Sequence, residues 1–227
     1  MTEIIRKCKP IQIDVNTKVE DMFFSQIGMT REKALKRFES KINDAQDKVR
    51  NSIRIEAVYE SFPITSAGED RVCFAGVDLE SEMLPKVLEK STDVILYVIS
   101  GFGYDDVEDA ETDTFDLMMI DGWGTAFIEE ADSILMDHIN SELKEIGNLY
   151  STHSWSPGQH NVDIKLQRQL FDLLKPEEIG TELSKSFMMH PKKSVSGIIG
   201  IGSDKNAPQM RACDFCKRRD TCPSAYS

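Results

Sequence analysis

Apolar residues recur at spacings of three and four along residues 30–51, where Ala34, Phe38, Ile42, Ala45 and Val49 share one side of a helical wheel. Thr30 is placed to cap this helix, although Lys33 stands where a capping box needs an acid or amide. The pattern then changes to alternation. Residues 53–59 (IRIEAVY) and 71–77 (RVCFAGV) read as strands, and residues 93–100 (DVILYVIS), rich in β-branched side chains, as a buried strand. Residues 11–18 predict a short strand, and residues 79–90 a helix in spite of Pro85. After the turn at Gly101-Phe102-Gly103-Tyr104, a long helix is predicted over residues 112–146, interrupted by Gly122 and Gly124 and stopped at Gly147. A polar loop (residues 150–160) leads to a helix over 162–174, and two strands follow at 182–189 and 194–201. Strands alternate with helices early and pair late, which predicts an α+β (mixed α/β) domain.

Composition narrows the function classes. The chain has 39 acidic and 27 basic residues, a formal charge of −12, which repels phosphate backbones and argues against nucleic acid as a partner. The longest apolar runs are too short to span a bilayer, so no membrane association is expected. The first ten residues contain no stretch of signal-peptide length, which points to the cytoplasm. Five cysteines, an odd number, argue against a disulfide framework in such a chain. There is no G-x-S-x-G, H-E-x-x-H or phosphate-loop pattern. The acidic stretch 105–111 reads as a solvated charge run.

Two segments stand apart from this background: Ser154-Trp155-Ser156-Pro157-Gly158-Gln159, and the later run SFMMHPKKSVSG over residues 186–197. Together they resemble the activation domain of cobalamin-dependent methionine synthase. That family has an Arg-Pro-Ala-Pro-Gly-Tyr loop followed by a Ser-Phe-x-Met-x-Pro-x-x-Ser-Val-Ser-Gly segment. A helix ending in Leu173-Leu174 lies between the two here, in the family's order. The similarity is good over residues 112–202 and weaker before them. It implies that family's fold, a twisted antiparallel-rich sheet flanked by helices, in a stand-alone form of the domain over residues 1–202, with residues 203–227 as its tail.

The resemblance also implies S-adenosylmethionine (AdoMet) as ligand and a cobalamin carried by a partner, either a methionine synthase core or another corrinoid protein. By the family pattern, Ser154, Ser156, Pro157, Gly158 and Gln159 are the ligand-binding candidates. Glu129, on the long helix, is the candidate for the family's acidic residue near the ligand. A Pro-Gly loop suits this task because proline is stiff and glycine lets the backbone approach a ligand closely. The chain departs from the family in two places: Ser154 replaces the Arg and Gln159 the Tyr. Serine cannot clamp a carboxylate with two charged bonds, a difference of about 1.5–3 kcal/mol. The strand at 194–197 reads chiefly as sheet and core packing.

The tail carries Cys213, Cys216 and Cys222 in a C-x2-C-x5-C-P pattern. A CxxC turn can bring two thiolates to one metal, so an iron–sulfur cluster or a zinc ion on these three is expected, with Lys217, Arg218 and Arg219 nearby to offset negative charge. Two functions follow. One is an accessory to reductive activation and remethylation of cobalamin; if catalytic, the chain is then a methyltransferase activation subunit. The other is a non-enzymatic corrinoid-protein binding or electron-delivery module.

Overall fold

The computed structural model describes Ile4, residues 6–205 and residues 207–222. Strand β1 (Lys7–Ile11) leads into helices α1 (Thr17–Gln26) and α2 (Arg31–Ser52). The Asn16 side chain caps α1, accepting from the backbone N–H groups of Lys18 and Val19. Thr30 sits at the start of α2 without a side-chain cap bond. Strands β2 (Arg54–Ala67), β3 (Arg71–Phe74) and β4 (Val77–Glu80) form a meander, the last two joined through Ala75 and Gly76, both at positive φ. Next come α3 (Leu84–Val87), β5 (Asp93–Phe102), α4 (Tyr104–Asp109) and α5 (Thr114–Gly147). The remainder is β6 (Tyr150–Ser151), α6 (Leu166–Leu174), the small hairpin β7 (Glu182–Leu183) and β8 (Met189–His190), and β9 (Ser194–Gly202).

The large sheet runs β4-β3-β2-β5-β9-β6, with β1 also on β2, and every pairing in it is antiparallel. The α+β expectation holds. Strand β5 is central, which explains its unbroken apolar run. Ile95, Tyr97 and Ile99 face a core shared with α1, α2 and α5. Val94, Leu96 and Val98 face a second core shared with α3, α6 and Trp155. Period-two geometry sends alternate side chains to the two faces, so a strand covered on both sides needs apolar residues throughout.

Several boundaries differ from the sequence reading. The strand expected over residues 11–18 lies earlier, at β1, and residues 17–26 are helical. The single strand expected at 71–77 is a pair of short strands. Residues 79–80 belong to β4, and the helix expected over 79–90 shrinks to α3. The strand expected at 182–189 is split into β7 and a turn leading to β8. Helix α5 passes unbroken through Gly122 and Gly124 and ends at Asn148, which adopts the left-handed conformation (φ 55°), one residue beyond the glycine expected to stop it. Both glycines are close-approach points. A Cβ on Gly122 would meet Ile27 at 2.9 Å, and one on Gly124 would meet the Tyr104 ring at 2.3 Å.

The tail folds back on the second core. Met210 and Ala212 pack against it, and the Trp155 indole N–H donates to the Met210 carbonyl at 3.1 Å. Among the described residues, no helix is long and apolar enough to cross a membrane.

Candidate functional site

The two segments singled out in the sequence meet in space. Trp155 pairs with Ile198 of β9 through two backbone bonds, N–H of each to C=O of the other, at 3.0 and 2.9 Å. This bridge clamps the loop to the strand. Beyond it, Ser156, Pro157, Gly158 and Gln159 form one wall of an open cleft of about 370 Å³. Ser194, Val195 and Ser196 of β9 form another. The turn before β8 supplies Phe187 and Met188, with Met189 and Lys192 beside them, and Ile164 and Gln167 close the cleft from the α6 side.

The loop holds itself in shape. The Gln159 side-chain carbonyl accepts from the Ser156 N–H at 3.1 Å, and the Gln159 N–H donates to the Ser156 carbonyl at 3.1 Å. The Gly158 N–H donates to the Val162 carbonyl at 2.8 Å. Gly158 adopts φ +92°, a conformation in which L side chains are strained. The backbone donors at Ser156 and Gly158 are therefore used within the loop, and what it offers the cleft is shape and the faces of Pro157 and Gln159.

The cleft floor is neutral and polar. Gln167 is 2% exposed; its side-chain carbonyl accepts from the Ser196 hydroxyl at 2.8 Å and its amide donates to Met189 Sδ at 3.2 Å. The Ser194 hydroxyl donates to the Pro191 carbonyl at 2.7 Å and lies 2.9 Å from Ser100 Oγ, whose hydroxyl can donate to it. Apolar surface surrounds this floor, with Met188 61% exposed and Ile164 38% exposed. Lys192 is the charged residue of the lining, and its ammonium pairs with Glu108. Gln167 was absent from the sequence-based candidates, yet it left a trace: residues 167, 170, 171 and 174 fall on one helical stripe, and Gln167 is its polar member among Leu170, Phe171 and Leu174.

Two candidates lie on the other face of the sheet. The Ser154 hydroxyl shares a hydrogen bond with the Tyr97 hydroxyl at 2.7 Å, directly over Gly197, where a Cβ would lie 2.3 Å from Ser154 Oγ. Adjacent residues of an extended chain point to opposite sides, so Ser154 turns toward Tyr97 while Trp155 enters the second core, and Ser156 lines the cleft where the chain turns at Pro157. Glu129, on α5, accepts from the Gln26 amide at 2.9 Å, and its other oxygen is buried without a partner. Burial raises the Glu129 carboxyl above its usual range, against the pull of Lys193. Asp132, one turn on, is raised by burial too, and one of its oxygens is likewise unpartnered. Burial also holds the Tyr97 phenol well above its ordinary value.

The cysteines do not form the metal group expected of them. Among the described residues, no three His, Cys, Asp or Glu side chains gather as a metal site. Cys213 belongs to the 3-10 turn Ala212–Phe215, whereas Cys222 follows a separate turn, Arg219–Thr221. Cys8 is on β1 and Cys73 on β3.

The chain thus folds as an antiparallel sheet with helices on both faces and a Pro-Gly loop docked on a serine-bearing strand. This fold is similar to that of a crystal structure of the MetH reactivation domain bound to AdoHcy, with a TM-score of 0.65 and 14% identity, over 96% of this chain and 87% of that one. Residues 137–209 match the family model described as vitamin B12 dependent methionine synthase, activation domain, so the resemblance carried by the two segments holds. No curated protein sequence matches the chain.

Proposed function

We propose that the chain binds AdoMet, or its demethylated product, in the cleft between residues 156–159 and 194–196, and serves the reductive remethylation of a cobalamin held by a partner protein. The observation that carries this reading is the convergence of the two family segments on one cleft. AdoMet, when bound, supplies the methyl group. The chain supplies position: apolar walls at Pro157, Ile164 and Met188 for a flat nucleoside, and amide and hydroxyl groups at Gln159, Gln167 and Ser196 for its polar edges. Residues 1–202 are taken as the domain and 203–227 as its tail. The partner is a methionine synthase core or another corrinoid protein, placed against the open side of the cleft, and the chain is its activation subunit.

The fit is better for the nucleoside than for the amino-acid end. With Ser154 engaged by Tyr97, position 154 offers nothing to a carboxylate, and Lys192 is the nearest cation in the lining. This favours a second reading, in which the fold is kept as a corrinoid-protein binding module with weak AdoMet affinity. Its electron-delivery variant has no metal group among the described residues to support it. Calorimetry separates the two. AdoMet should give saturable heat with a dissociation constant weakened about ten- to hundredfold relative to an arginine-bearing domain. Absence of heat at millimolar AdoMet, with folded protein, removes the first reading and leaves the second.

A further inference from the structure

The tail contains a second piece of chemistry. In the 3-10 turn Ala212–Phe215, the Cys216 N–H donates to the Cys213 carbonyl at 3.1 Å. That bond closes a four-residue turn, whose end Cα atoms lie less than about 7 Å apart. A disulfide spans Cα separations of about 4.4–6.8 Å. Both cysteines are partly exposed, and neither is in a disulfide here. Between them, Phe215 packs on the buried Trp155 with ring centroids 5.9 Å apart. Trp155 is the residue that clamps the cleft loop to β9. Further bonds tie the same stretch down: Arg211 Nε donates to His153 Nε2 at 3.2 Å, and the Gln209 amide donates to the Ser151 carbonyl at 3.1 Å.

We propose that Cys213 and Cys216 form a thiol–disulfide site, and that closing the bond locks the turn that holds Phe215 on Trp155. The co-reactant is a small-molecule disulfide. One cysteine thiolate attacks it and forms a mixed disulfide, releasing one small thiolate. The other cysteine then displaces the second small thiolate and completes the internal bond. The two protons lost by the cysteines are taken up by the leaving thiolates; the cysteine pair loses two electrons and the small disulfide gains them. A reducing thiol in excess reverses the exchange. The bond closes within one turn, so it requires no rearrangement of the sheet. The proposal stands apart from the ligand reading, since neither the bond nor its effect on Trp155 needs AdoMet.

The full chain equilibrated with oxidised glutathione tests it. Trypsin, cutting after Arg211 and Lys217, releases both cysteines in the single peptide 212–217. That peptide should lose the mass of two hydrogens, regain it on reduction, and behave the same in Cys222→Ser. Tryptophan emission should shift on oxidation, and the shift should be lost in Phe215→Ala, which still forms the bond. Glutathione adducts on single cysteines, bonds that include Cys222, or thiols shielded by bound zinc or iron would each overturn the site. A bond that forms without any change in emission would overturn the coupling to Trp155.

Discussion

Position 154 shows how one residue redirects a site. Arginine there in the family pattern is long enough to reach a ligand; serine here reaches only the Tyr97 hydroxyl, within the space left by Gly197. The neighbouring carboxyls are thereby left without a cation at that position. Asp132 pays a desolvation cost when ionised, and its folded-state pKa is raised above the unfolded value. The sign follows from linkage: the stability tied to this group is present below the ordinary carboxylate pKa and is lost as pH rises through the raised one. Asp132→Asn should therefore raise the melting temperature at neutral pH, and the gain should vanish below the usual carboxylate range, where the native residue is protonated too. Thermal melts at the two pH values check this; an equal gain at both would show that ionisation is not the cause. Asp132 also hydrogen-bonds the Tyr97 hydroxyl, and this was not legible in the sequence, because the contact joins a helix and a strand 35 positions apart. Ser156, Pro157, Gly158 and Gln159 were legible, because the Pro-Gly turn and the docking strand are both local patterns. That the loop spends its own N–H groups on itself was not.

At the scale of elements, α5 contradicts its own propensities. Glycine costs a helix about 1 kcal/mol relative to alanine, and this helix carries Gly122 and Gly124 two residues apart. It stays whole because α1 and Tyr104 press against those bare positions, where Trp123 also stacks on Phe23 at 4.2 Å. Gly124→Ala should thus destabilise the protein despite its better helix propensity, by about 1–3 kcal/mol, since the new methyl would overlap the Tyr104 ring. Denaturant unfolding measures this, and a net stabilisation would mean that Tyr104 yields readily. Helix α2 and strand β5 followed their periodicity to within a residue or two, whereas β2 runs on to Ala67, well past the end expected at residue 59. Helix α1 was missed because residues 11–18 alternate just across its beginning, and its start depends on the Asn16 cap more than on any apolar stripe. The turns around α3 were missed because Pro85 begins a short helix there instead of sitting inside a long one.

For the whole molecule, two cores on opposite faces of one sheet fix where a ligand can enter. Past the Trp155 bridge, no further strand among the described residues lies on the outer edge of β9, and the cleft lies along this stretch. The apolar Met188 and Ile164 at its rim are among the large hydrophobic side chains left exposed. The central claim is that the Pro-Gly loop and the serine-bearing strand together hold a nucleoside ligand. Amide chemical shifts recorded during AdoMet titration test it most directly. Saturating shifts should be concentrated at residues 156–159, 187–189 and 192–196, with α2 silent. Shifts absent from both segments, or saturating shifts centred on another surface, would contradict it.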